Sequence, residues 1–141
     1  MKTENARRPV AEDLFTWDGP DVRLVGSRCQ ACGAVAFPLQ SACPRCAADG
    51  MERLLLGRAG KLWTWTTQEY PLKQMGEGPF EPFLVGYVEL PGEVRVESRI
   101  VGVPAEDVRI GMDLEVGTTV LRREADGNEV LVYCFSPVRG A

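Results

Sequence analysis

The fold of this chain is decided by two short cysteine motifs, Cys29-Gln30-Ala31-Cys32-Gly33 and Cys43-Pro44-Arg45-Cys46. Each pair can form a tight turn that points both thiolates to one side, and Gly33 suits a turn position with positive φ. Two such turns would place four sulfur atoms around one ion, as in structural Zn²⁺ sites with Zn–S distances of about 2.3 Å. We therefore predict a rubredoxin-like zinc ribbon over residues 24–53, with one structural Zn²⁺ per chain. The expected ligands are Cys29, Cys32, Cys43 and Cys46, and iron in the same sulfur geometry is the alternative.

Composition argues against an enzyme that acts alone. The chain has 141 residues, 16 Lys and Arg, 20 Asp and Glu, five Cys and no His, with a formal charge of −4. Without histidine, the chain cannot by itself supply a Ser-His-Asp triad, a Cys-His nucleophile or a two-His metal centre. Its length suits one domain, or one domain with a small appendage.

Residues 54–141 carry the pattern of a small β-barrel. The run Glu93-Val94-Arg95-Val96-Glu97-Ser98-Arg99-Ile100 alternates charged residues with residues that can be buried, as in a strand with one wet face. Similar runs bring the total to five: 61–67, 83–90, 93–100, 114–122 and 129–135. Five short strands at this spacing fit an OB-fold barrel better than a sandwich of about seven strands. The expected fold class is mostly β.

Residues 1–23 are expected to form an N-terminal helical segment, because Glu12-Asp13-Leu14-Phe15 suits a short helix. The start of the chain has no apolar run after its charged residues, so we expect no secretory signal. We also expect no membrane span, which needs about 20 mostly apolar residues. The predicted location is cytoplasmic, where reduced thiols favour metal binding over disulfides. Cys134 lies in a predicted strand and is expected to be a small core residue.

Nucleic-acid binding is one class of function that a zinc ribbon and an OB barrel allow. Trp63 and Trp65, two residues apart in one strand, are expected to share a face, and such aromatics can stack on bases. However, residues 54–141 hold nine Lys and Arg against thirteen Asp and Glu. Because affinity for a polyanion depends on neutralising phosphates, a single-stranded nucleic-acid-binding module is the less favoured alternative.

A different class of function comes from a resemblance. The stretch Arg23-Leu24-Val25-Gly26-Ser27-Arg28-Cys29-Gln30-Ala31-Cys32-Gly33-Ala34-Val35-Ala36-Phe37-Pro38 is followed by the second cysteine pair. A strand, Gly60-Lys61-Leu62-Trp63-Thr64-Trp65-Thr66, and a late motif, Arg109-Ile110-Gly111-Met112-Asp113-Leu114-Glu115-Val116, complete the pattern. Over residues 12–137 this combination resembles the zinc-ribbon/OB-fold acyl-CoA-associated protein family.

The resemblance implies a non-catalytic accessory subunit of a hetero-oligomeric acyl-CoA enzyme. In this family a large subunit carries the catalytic residues, and the large subunits include thiolases, retro-aldolases, acyltransferases and enoyl-CoA hydratases. A thiolase-superfamily partner, making or breaking carbon–carbon bonds, is the first expectation, and a hydratase partner is the second. The family's metal ligands correspond to the four paired cysteines, and no catalytic residue carries over. The small subunit would stabilise its partner and shape the acyl-CoA channel.

The loop 70–82 is the expected contact with that partner. It is long for a barrel connection and mixes Gly and Pro with the apolar residues Leu72, Met75 and Phe80. Lys73 is the candidate cofactor-binding residue, facing a phosphate of CoA, although a lone lysine on a loop is more often simply solvated.

Overall fold

The computed structural model describes residues 7–17, 21–75 and 79–138, and in these ranges the chain consists of strands, turns and loops without an α-helix. The strands are β1 (Arg7–Pro9), β2 (Val25–Cys29), β3 (Val35–Ala36), β4 (Met51–Leu55), β5 (Ala59–Gln68), β6 (Phe83–Glu89), β7 (Arg95–Ile100), β8 (Asp113–Arg123) and β9 (Glu129–Pro137). Two 3₁₀ turns, Lys73–Met75 and Ala105–Asp107, lie in the connecting loops. Within this part of the chain, no helix is long and apolar enough to cross a membrane.

Strands β5 to β9 close into a five-stranded barrel. Antiparallel pairing joins β5 to β6, β6 to β7 and β8 to β9. Strand β7 runs parallel to β9, with Arg99 opposite Cys134 and Ile100 opposite Phe135. The barrel closes where β5 pairs with β8, so the strand order is β5-β6-β7-β9-β8 and back to β5. The prediction of a mostly β fold with an OB-type barrel is confirmed.

The barrel interior is filled by the alternating residues that the sequence pattern assigns to it. In β7 the side chains of Val96, Ser98 and Ile100 are buried, whereas Arg95 and Glu97 are exposed. This alternation follows from the pleat, which points successive side chains to opposite faces of the sheet. The largest fully buried side chains from the barrel strands are Phe135, Leu62, Leu114, Val88, Val96 and Val130.

The ribbon is a three-stranded antiparallel sheet in the order β3-β2-β4. Its base shares the barrel core, because Leu24 and Leu56 are fully buried and belong to the same hydrophobic cluster as the barrel residues. The Leu56 N–H donates a hydrogen bond to the Leu24 carbonyl oxygen over 2.9 Å. The ring of Phe37 packs edge-on to that of Tyr133, with centroids 5.4 Å apart. The ribbon is therefore fixed to the barrel by shared packing.

The expected N-terminal helix is wrong. Residues Arg7–Pro9 form β1, which lies parallel to β9 through the pairs Arg7–Glu129, Arg8–Val130 and Pro9–Leu131. Asp13 has a φ of 58°, which is incompatible with a right-handed helix. Further along, Phe15 forms an isolated antiparallel bridge with Leu24, the residue directly before β2. A helix of a few residues gains too few internal hydrogen bonds to offset nucleation, so pairing with existing strands is favoured.

Candidate metal centre

The first cysteine turn begins at the last residue of β2. The Cys29 N–H donates to the Ala34 carbonyl oxygen and the Gly33 N–H donates to the Cys29 carbonyl oxygen, each over 2.8 Å. The Cys32 N–H approaches the Cys29 sulfur at 3.4 Å. Gly33 has a φ of 80°, as its position after the second thiol predicts. The backbone of this turn therefore directs an N–H group at the sulfur, which favours the thiolate form that binds metals.

The second cysteine turn repeats the first with one difference. The Cys43 N–H donates to the Ala48 carbonyl oxygen over 2.7 Å, and the Ala47 N–H donates to the Cys43 carbonyl oxygen over 2.9 Å. The N–H groups of Arg45 and Cys46 lie 3.3 and 3.4 Å from the Cys43 sulfur. Ala47 occupies the position equivalent to Gly33 and has a φ of 67°. The sequence gives no signal for this left-handed alanine, because no glycine marks it.

The two turns bring the four predicted sulfur atoms into one cluster. All four Sγ atoms lie within 4.8 Å of one another, and the Cys29–Cys46 and Cys32–Cys43 sulfur pairs are both 3.6 Å apart. Ligands of a tetrahedral ion with Zn–S bonds of about 2.3 Å are separated by about 3.8 Å, so this spacing fits the ion. Cys29 and Cys43 are buried, while Cys32 and Cys46 face outward. The donor set has four thiols, as expected for a closed structural zinc site.

The electrostatics of the cluster favour a bound cation. Hydrogen bonds from backbone N–H groups, that of Cys46 first, lower the pKa of Cys43 to about 6. The pKa of Cys29 is also lowered, chiefly by the N–H of Cys32. At Cys46 the N–H of Ala48 lowers the pKa, but the neighbouring thiols, Cys29 first, together raise it to about 11. Since four adjacent thiolates repel each other, a divalent ion is what allows all of them to ionise.

Cys134 is separate from this cluster. It is buried in β9, and burial raises the pKa of its thiol to about 11, although the nearby Arg99 acts in the opposite direction. A buried thiol with such a pKa is unreactive near neutral pH. The expectation that Cys134 is a small core residue agrees with this burial.

The loop between β5 and β6 carries Lys73 and the apolar residues that we expect at a partner contact. Lys73 starts the 3₁₀ turn Lys73–Met75 and is exposed. Leu72 is exposed, and the Phe80 ring lies edge-on to Phe83 with centroids 6.1 Å apart. Residues 76–78 of this loop lie outside the described ranges. The roles of this loop in CoA and partner binding stay predictions.

The two tryptophans of β5 do not share a face. A β-bulge shifts the register between Leu62 and Thr64, so Trp63 points outward and Trp65 packs against the core. Trp63 is 47% exposed, stands edge-on to Tyr87, and is covered by Arg95, whose guanidinium carbon lies 4.0 Å from the ring centroid. A bulge adds one residue to a strand and thereby reverses the alternation beyond it, which two-residue periodicity cannot anticipate.

Both halves of the chain match described families. Residues 17–52 match "ChsH2, rubredoxin-like zinc ribbon domain" and residues 55–119 match "ChsH2, C-terminal OB-fold domain". The two matches together include all four cysteines of the cluster and the first strands of the barrel. The ribbon and the barrel of this chain therefore recur together in known proteins.

Individual relatives and a solved structure are similar to this chain over most of its length. A DUF35 domain-containing scaffold protein of Methanocaldococcus jannaschii is 32% identical over 120 residues, covering 82% of this chain and 82% of the relative. The benzoylsuccinyl-CoA thiolase subunit BbsA of Thauera aromatica is 30% identical over 122 residues, covering 86% of this chain and 81% of the relative. A solved structure described as "Ltp2-ChsH2(DUF35) aldolase" superposes with a TM-score of 0.60 at 27% identity, covering 82% of this chain and 84% of that one.

Proposed function

Because the chain belongs to the ChsH2 zinc-ribbon/OB-fold family, we propose that it is a non-catalytic accessory subunit of a hetero-oligomeric acyl-CoA enzyme. The proposed partner is a thiolase-superfamily large subunit that makes or breaks a carbon–carbon bond. The observation that carries the proposal is the 30% identity to a benzoylsuccinyl-CoA thiolase subunit, which extends over 86% of this chain.

The state of the cysteines supports an accessory role. A thiolase-type reaction needs an activated cysteine and a base, and the usual base, histidine, is absent from the sequence. Four of the five cysteines belong to the metal cluster, and the fifth, Cys134, is buried with a raised pKa. None of the five thiols is thus a free nucleophile, so the chemistry would come from the partner.

The partner would contact the loop between β5 and β6 together with the ribbon. Leu72 is 36% exposed and Tyr70 is 76% exposed, and on the ribbon Leu39 and Leu55 are 37% and 40% exposed. The buried core of an interface is more apolar than its rim, and aromatic residues are enriched there. In the complex Lys73 would face a phosphate of CoA at the entrance of the acyl-CoA channel, which the subunit would help to shape.

Co-purification from the native host tests the proposal. The zinc-loaded chain should elute with a protein that mass spectrometry identifies as a thiolase-superfamily enzyme, and metal analysis should find one zinc per chain. Replacing Leu72, Met75 and Phe80 together with Ser should weaken this co-elution, whereas Ile110→Ser, at a residue 68% exposed elsewhere on the surface, is the matched control.

The alternatives predict different eluates. Recovery of an enoyl-CoA hydratase would replace the thiolase with the second expected partner. A zinc-loaded monomer that binds oligonucleotides and no acyl-CoA enzyme would overturn the proposal and favour a single-stranded nucleic-acid-binding module.

A further inference from the structure

An apolar groove of about 430 Å³ lies on the outside of the barrel, where β6, β7, β8 and β9 meet the N-terminal segment. Its walls are mainly apolar and include the aliphatic residues Leu14, Leu72, Val85, Leu121 and Val132. The volume and lining are those of small-molecule sites, which combine apolar walls with a few polar groups that fix the orientation of the ligand.

Arg99 is the basic residue of this groove, and no residue that the structure describes forms an ion pair with its guanidinium. The Arg99 Nε atom is buried and has no hydrogen-bond partner within residues 7–17, 21–75 and 79–138. None of the ion pairs within the described residues includes Arg99, although most other arginines of the barrel and of β1 form one. Burying a donor without an acceptor costs free energy. A bound ligand that supplies the acceptor would remove this cost.

The stacking of Arg99 leaves its donors available. The guanidinium carbon lies 4.2 Å from the ring centroid of Phe83, which uses the flat face of the group. The five N–H donors of a guanidinium point outward in its plane, so stacking does not satisfy them. Burial lowers the pKa of Arg99, and the nearby Cys134 acts in the opposite direction. The same desolvation strengthens the attraction between the guanidinium and an anion.

The charges around the groove set the charge of the ligand. The lining contains one cation, Arg99, and one carboxylate, Glu97, which is exposed on the same strand. Glu97 does not pair with Arg99, and it lies close enough to Tyr133 to help raise the pKa of that phenol, after the larger effect of burial. One guanidinium beside a solvated carboxylate suits a monoanion and disfavours a phosphate dianion. Carboxylates also match the planar fork of arginine donors.

We propose that this groove binds a small hydrophobic carboxylate, with its apolar part on Val85, Leu121 and Val132 and its carboxylate on the free donors of Arg99. The site goes beyond the accessory role proposed above and does not depend on the identity of the large subunit. It lies on the barrel, apart from the metal cluster, and gives the chain a ligand of its own.

Methyl NMR of the full-length, zinc-loaded protein tests the site with three ten-carbon probes. Decanoate should shift the methyl signals of Val85, Leu121 and Val132 in a saturable manner. Decan-1-ol, which has the same chain without the charge, should bind about tenfold more weakly, the loss expected for one charge-assisted hydrogen bond. Decyltrimethylammonium, with the opposite charge, should leave these signals unchanged.

Two variants separate the charge from the apolar contacts. Arg99→Gln should weaken decanoate about tenfold and leave decan-1-ol unchanged. Glu97→Gln, which removes the nearby negative charge, should tighten decanoate binding, and unchanged methyl signals of the buried core residue Val88 would show that both variants are folded. Equal affinities for decanoate and decan-1-ol, equal decanoate binding by Arg99→Gln, or no saturable shift would overturn the proposal.

Discussion

The left-handed residue after each cysteine turn offers a paired test of how the ribbon holds its metal. Gly33 and Ala47 occupy equivalent positions, with φ values of 80° and 67°. Glycine adopts this conformation freely, whereas alanine brings its Cβ close to the following carbonyl oxygen. Ala47→Gly should therefore stabilise the ribbon, and Gly33→Ala should destabilise it.

The size of both effects follows from the backbone alone. A left-handed conformation costs an L-residue roughly 1–2 kcal/mol, and the greater freedom of glycine in the unfolded chain offsets about 0.4–1 kcal/mol. The net change is about 1 kcal/mol in each direction. No clash adds to it at Gly33, because a Cβ built there meets no atom within 4 Å.

Two measurements report this change. Since formation of the metal site is coupled to folding of the ribbon, about 1 kcal/mol should change zinc affinity about fivefold in a competition with a chelator. The melting temperature of the zinc-loaded chain should move by roughly 3 °C in the same direction. A Gly33→Ala variant with unchanged affinity, or an Ala47→Gly variant that binds zinc more weakly, would refute the argument.

Three further predictions concern the barrel, the metal and the fifth thiol. Gly86→Ala should lower the free energy of unfolding by about 2 kcal/mol in urea titrations, because overpacking of this kind is costly and its Cβ would lie 2.7 Å from the Thr64 carbonyl oxygen. Gly117→Ala is the control: its Cβ would meet nothing closer than 4.0 Å, and a loss equal to that of Gly86→Ala would contradict the argument. Removing the metal with a chelator should abolish the NMR signals of the folded ribbon while those of the barrel core persist, since the ribbon turns contain few apolar contacts. Retention of the ribbon signals would show that the metal is dispensable for folding of the ribbon. Cys134 should resist alkylation by iodoacetamide in the native state at mildly alkaline pH, because burial raises its pKa to about 11. If mass spectrometry finds Cys134 alkylated as fast as the ribbon thiols after chelation of the metal, its burial is contradicted.

The metal ligands and the barrel strands were predictable because their signals are local. Thiols at a fixed spacing can converge only through tight turns, and Cys29, Cys32, Cys43 and Cys46 do converge. The strand at Arg95–Ile100 alternates because the pleat alternates. In contrast, the bulge that turns Trp63 outward depends on the pairing partner, so β5 alone does not reveal it.

The N-terminal segment failed as a prediction for a similar reason. Residues 12–15 have helix-compatible composition, but Arg7–Pro9 just before them pairs with β9, a strand more than a hundred residues later, and Phe15 bridges to Leu24. A short helix is marginal by itself, whereas an open strand edge offers hydrogen bonds to any extended segment that reaches it. The assembled barrel therefore favours the extended segment over the short helix.

The sequence by itself determined the chemistry of the ribbon and the class of the barrel, since residue type and spacing fix which atoms can meet in a tight turn or on one face of a strand. Only the tertiary structure decided which groups are left without a partner. The sequence pattern predicts Arg99 to be one more charged residue on the solvent-exposed face of a strand. Its buried Nε, its stacking on Phe83 and its place in an apolar groove arise because β6, β7 and the N-terminal segment pack around it. Burial and pairing are properties of the whole arrangement, because desolvation depends on every neighbour that excludes water.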